Sequence, residues 1–252
     1  MDEVPVRPLM LGFMLAFFAP AALAYTEVEM FDRKGKPTTV VIQDGWARGA
    51  TYRSDYTYTL IDLRTPRLYL IDMGERTFSD VSDVFLKGKR IYYGLTHVGP
   101  GPEVAGRPTE EYRISDINDE HCAQIFLWPT PPEQDLRDMQ NMFAQIRVFP
   151  EGLLPGLGAL AQGLMSPCVR AELDALGELS RKGLIARRVN SHGTETLRIG
   201  VIRTEGRIEP CMMALPKHYQ IESPPTLAIK LLKRRLFGGR EKPPEPLTLR
   251  CP

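Results

Sequence analysis

Over residues 38–73 the chain alternates its side chains at every second position, and this constrains the fold more than any other feature of the sequence. Residues 38–44 set Val40 and Ile42 against Thr39, Val41 and Gln43; residues 56–63 set Tyr56, Tyr58 and Leu60 against Thr57, Thr59 and Ile61. Residues 67–73 set Leu68 and Leu70 against Tyr69, Ile71 and Met73. β-Branched and aromatic residues at period two are the signature of strands. Arg33-Lys34-Gly35-Lys36-Pro37, Asp44-Gly45, Thr65-Pro66 and Met73-Gly74-Glu75 between them are turn chemistry. The segment therefore predicts an antiparallel meander.

Two more strands, 109–117 and 123–128, are predicted after a Gly/Pro loop over 98–108, with Pro129 to Pro132 ending the sheet. The period then changes. Leu136, Met139, Met142, Phe143 and Ile146 predict an amphipathic helix over 133–148, and Val169, Leu173, Leu176 and Leu179 a second, stopped at Gly183. Between them, 149–167 is rich in Leu and Gly and reads as a packed insertion or an apolar lid. Strands are expected again at 184–190, 195–204 and 207–214. Strands, two helices and more strands imply an α+β fold, with a helical layer on a strongly curved antiparallel sheet.

The first 24 residues carry the apolar run Leu9 to Ala24, which ends in Ala22-Leu23-Ala24. Small residues at those positions are what a signal peptidase accepts, so a cut is expected before Tyr25. The rival reading is an uncleaved anchor, but the run is short of the roughly 20 residues that span a bilayer. Asp2 and Glu3 oppose Arg7 in the leader, where net positive charge is usual. The expected organisation is a signal peptide at 1–24, one domain over 25–223 with its helical insertion at about 133–183, and a basic, Pro-rich tail over 224–252. An exported, periplasmic location follows.

The chain has 32 Lys and Arg against 31 Asp and Glu. Without the leader the net charge is about +2, which favours neither nucleic acid nor an acidic partner. Cys122, Cys168, Cys211 and Cys251 all follow the leader, and an even count in an exported protein points to two disulfides, with three connectivities open. No CxxC pair is present, so a redox motif or zinc site is not expected.

No catalytic constellation emerges. His97, His121, His192 and His218 form no HxH or HExxH cluster, and GxSxG, a phosphate-binding glycine loop and GxGxxG after a strand are all absent. The chain is read as non-enzymatic, with no cofactor and no metal. In the tail, Lys230, Lys233, Arg234 and Arg235 interrupt a Leu/Ile run. They make either a cationic helix touching anionic lipid or a solvated helix docked by its leucines.

The order of segments carries a resemblance. Thr57, Leu60, Ile61 and Asp62 lead to Arg67-Leu68-Tyr69-Leu70-Ile71-Asp72, then Glu75-Arg76-Thr77-Phe78. Gly106-Arg107-Pro108-Thr109-Glu110-Glu111-Tyr112-Arg113-Ile114 follows, and Leu215-Pro216-Lys217-His218-Tyr219 closes the series. This resembles an uncharacterised family of exported bacterial proteins, similar in fold to the periplasmic lipoprotein carriers of the LolA/LolB type. The resemblance spans about residues 25–222. It implies an open half-barrel with a helical lid over an apolar cavity, and it transfers no cargo-handling residue.

The expected activity is binding of an apolar ligand, a lipid or acyl chain, in the concave face of the sheet. Tyr58, Leu60, Leu68, Leu70 and Trp128 are the candidate lining. The alternative is an envelope interaction or sensor module that binds a protein or membrane surface. A third reading is a hydrolase with scattered site residues. Carriage calls for a cavity on the order of several hundred Å³ under the helices; a sensor calls for a filled core and an exposed apolar patch.

Overall fold

A computed structural model describes residues 24–50, 57–65, 67–82, 92–145, 166–206, 208–224 and 226. The leader, the 149–165 stretch and most of the basic tail, Lys230, Lys233, Arg234, Arg235 and Cys251 included, lie outside the described residues.

Among the described residues, twelve strands form one sheet. β1 (Tyr25–Asp32), β2 (Pro37–Gln43), β3 (Trp46–Ala50), β4 (Thr57–Asp62), β5 (Arg67–Asp72) and β6 (Thr77–Asp80) run as an antiparallel meander. A second meander comprises β7 (Gly94–Val104), β8 (Arg107–Ser115), β9 (His121–Trp128), β10 (Leu184–Asn190) and β11 (Glu195–Glu205). α1 (Gln134–Gln145) and α2 (Pro167–Lys182) are inserted between β9 and β10. β1 pairs with β11, with Val28 opposite Ile202, and so fuses the two meanders. The short β12 (Gln220–Ile221) lies parallel to β6, which makes the sheet mixed.

The turns follow from local chemistry. Asp44 and Gly45 take φ of 52° and 73° between the paired Gln43 and Trp46, the two-residue loop whose twist matches a hairpin. Ala105 and Gly106, at 48° and 72°, do the same between β7 and β8. Between β8 and β9 the buried Asp116 carboxylate accepts from the backbone N–H of Asn118 at 2.8 Å and of Glu120 at 3.0 Å.

Each helix packs on its own apolar cluster of the sheet. Leu136, Met139 and Met142 of α1 meet Val28, Ile42, Ala47 and Ile199, and Thr26 Oγ1 donates to Asp135 at 2.7 Å. Ala171, Ala175 and Leu179 of α2 meet Ile114, Ala123, Ile125 and Leu127. On the face of the first meander away from α1, Val41, Tyr58, Leu60, Tyr69 and Ile71 are covered by the segment after β11, through Ile208, Met212, Met213, Leu215 and Tyr219.

These findings correct the expected α+β class and its strongly curved, open half-barrel with a lid. The molecule is a mostly-β fold built on one large mixed sheet, with two helices among its described residues. Strands β1, β3, β6 and β7 were not expected. The Gly/Pro stretch over 98–108 belongs to the β7–β8 hairpin, because β7 is an edge strand and Pro100 and Pro102 owe no donor to a further neighbour. The expected strand over 207–214 is instead a 3-10 turn at Pro210–Met213.

α2 begins at Ser166, whose Oγ accepts from Val169 N at 3.3 Å with Pro167 in the first turn, and ends at Gly183, whose N–H reaches Leu179 O at 3.0 Å. Gly183 is extended, at φ 171°, so space rather than conformation requires the glycine. A Cβ there would stand 2.5 Å from the Trp128 carbonyl oxygen. Gly183→Ala therefore forces β9 and β10 apart, and a loss of about 2 kcal/mol is expected by thermal unfolding. An unchanged melting temperature would contradict the close approach.

Candidate functional site

A cleft of about 260 Å³ lies between α2 and the sheet. Ala171 and Ala175 are small enough to seat the middle of the helix close on β8 and β9. The neighbouring flank, Val169, Leu173 and Leu176, overhangs Ile114, Ile125 and Ile185 without filling the space. The Cys122–Cys168 disulfide, with Cα atoms 5.0 Å apart, ties the first turn of α2 to the start of β9 at the same side of the helix.

One ion pair interrupts this apolar wall. Arg188 on β10 donates to Glu172 on α2 through Nε and Nη2, and through Nη1 to Thr196 Oγ1. The Glu172 side chain keeps 15% of its surface exposed and Arg188 keeps 31%. Burial pushes the Glu172 carboxyl above its ordinary range, while Arg188 pulls it back. The cleft thus joins a predominantly hydrocarbon surface to one guanidinium–carboxylate pair.

The five residues expected to line a ligand site do not converge. Tyr58 and Leu60 lie on the face away from α1, 1% and 0% exposed, in a cluster with Leu215 and Tyr219. Leu68 and Leu70 are half-buried on the other face, opposite Ile61 and Thr59. Trp128 is buried with Leu136 and Met139 of α1, and the Arg107 guanidinium lies 5.0 Å from its ring centre. The helical stripe Val169, Leu173, Leu176 and Leu179 does border the cleft. Its partners on the sheet, and Glu172 and Arg188, were not singled out. Their signal was present in Glu172, a carboxylate three residues after Val169 on the apolar side of a helix.

The four histidines are exposed, and His97 pairs with Glu110 at 2.7 Å. Asp116, Cys122 and Cys168 lie together, but both sulfurs are spent in the disulfide and cannot ligate a metal as thiolates. Cys211 is also disulfide-bonded. Among the described residues no helix is long and apolar enough to cross a membrane.

No protein-family model matches the chain, and no curated protein matches it. Among solved structures, PNGF-II in the P21 space group is similar at 10% identity and a TM-score of 0.45, over 85% of this chain and 34% of that one. The chain spans about a third of that structure's length, and a likeness this slight carries no argument about fold or function.

Proposed function

We propose that this is an exported, periplasmic, non-enzymatic protein that binds an apolar ligand, an acyl chain or similar lipid fragment, in the cleft beneath α2. The observation that carries the reading is the cleft's composition: seven aliphatic side chains around one ion pair. Its size bears on the ligand. At about 260 Å³ it falls just below the usual range for pockets enclosing a drug-sized molecule, roughly 300–1,000 Å³. A single chain fits that space better than a whole diacyl lipid. The disulfide suits an oxidising compartment, in keeping with export.

The test is uptake of a fluorescent fatty acid by the purified protein and by Leu176→Gln, a polar residue of similar size at the half-buried edge of the cleft. Micromolar, saturable uptake that weakens about tenfold in the variant is expected, since about 1.4 kcal/mol of apolar contact is removed. Equal uptake by both proteins, or none by either, would refute the proposal.

A further inference from the structure

Arg48 lies mid-strand on β3, on the face away from α1, and only 6% of its surface is exposed. Its Nη1 donates to the Met212 carbonyl at 3.1 Å, and its guanidinium carbon stands 3.9 Å from the centre of the Tyr58 ring. The Tyr58 hydroxyl is buried and, among the described residues, has no hydrogen-bond partner. Tyr219, from the covering segment, is close enough to interact electrostatically with both. Burial draws the Arg48 guanidinium below its ordinary range and pushes both phenols up, so the tyrosines stay protonated at neutral pH.

A buried guanidinium is ordinarily matched by a carboxylate, because an unmatched buried charge is costly. Among the described residues no carboxylate pairs with Arg48, and of its five N–H donors one has an acceptor, the Met212 carbonyl. The ring beneath it recovers only about 0.5–2 kcal/mol. A water molecule reaching the guanidinium would satisfy individual donors and leave the charge uncompensated. Among the described residues, donors therefore outnumber acceptors here: the guanidinium fork and a phenol hydroxyl, around one positive charge.

We propose that Arg48 and the Tyr58 hydroxyl form a site for a small oxyanion, a carboxylate or phosphate group. The fork presents paired donors to two oxygens, the geometry in which guanidinium binds such groups best. The bound anion also holds the covering segment, since the same guanidinium grips the Met212 carbonyl. Binding is thereby linked to stability, and the folded state gains as the anion concentration rises above its dissociation constant.

The experiment is thermal unfolding of the purified chain in sodium phosphate and, separately, sodium acetate, each exchanged against sodium chloride at constant ionic strength. The melting temperature is expected to rise and saturate with at least one of the two. A response to phosphate alone marks a phosphate site, and a response to acetate alone a carboxylate site. Arg48→Met should lose the response, and Tyr58→Phe should need about tenfold more anion for the same rise. No anion dependence in the wild type would overturn the site. So would an equal rise in Arg48→Met, which would mark general exclusion of the salt from the protein surface. Should Arg48→Met fail to fold, the comparison rests on Tyr58→Phe, and an unshifted midpoint concentration there is the contradicting result.

Discussion

Replacing Cys122 and Cys168 together by alanine is expected to lower the unfolding free energy by about 4 kcal/mol. The bond joins residues 46 apart, and closing a loop of that size removes roughly this much entropy, as free energy, from the unfolded chain. Alanine is the appropriate replacement because Cys122 is 1% exposed, and a hydroxyl there would add its own burial cost. The loss should appear as a lower denaturant midpoint, with melting falling by about 10 °C. Reduction of the native protein should act in the same direction. A change below about 1 kcal/mol would mean that packing of Ala171, Ala175 and Leu179 on β8 and β9 fixes α2 without the bond.

Leu136→Ala is expected to cost about 3 kcal/mol, within the range of roughly 2–5 for deleting a buried leucine. Leu136 is 0% exposed and belongs to a cluster that includes Val28 and Ile42 of the first meander and Leu184 and Ile199 of the second. The cavity would open where the two meanders are held together. Val201→Ala, at a site 39% exposed, serves as the control and should stay within about 0.5 kcal/mol. Equal effects of the two substitutions in urea unfolding would contradict the placement of the core.

Much of this architecture is legible in the sequence where periodicity is strong. The alternation at Val40, Ile42, Tyr58 and Leu60 marks β2 and β4, and the stripes around Met139 and Leu176 mark the two helices. β3 is harder to see, since Trp46-Ala47-Arg48-Gly49-Ala50 carries an arginine that faces inward and a glycine. β7 is disguised by Gly99, Pro100, Gly101 and Pro102, which an edge strand tolerates and a central strand does not. The class could not be read because it depends on a long-range pairing. Nothing local to Tyr25–Asp32 says that it will join β11 and merge two meanders into one sheet.

The site was partly legible for the same reason. Helical spacing identifies Val169, Leu173, Leu176 and Leu179, which border the cleft. Ile114, Ile125, Ile185 and Arg188 reach it from three strands, and their convergence is set by sheet order and by the bulge between Ile185 and Arg187. Tyr58 was singled out as apolar lining. Its burial instead places its ring against Arg48, in surroundings that alternation alone cannot reveal.

The most direct measurement of the central claim is native mass spectrometry of the purified protein, followed by extraction of any bound lipid. The account predicts one acyl species per chain, lost on denaturation and diminished in Leu176→Gln. A mass equal to the bare chain, from a protein that also takes up no fluorescent fatty acid, would contradict it.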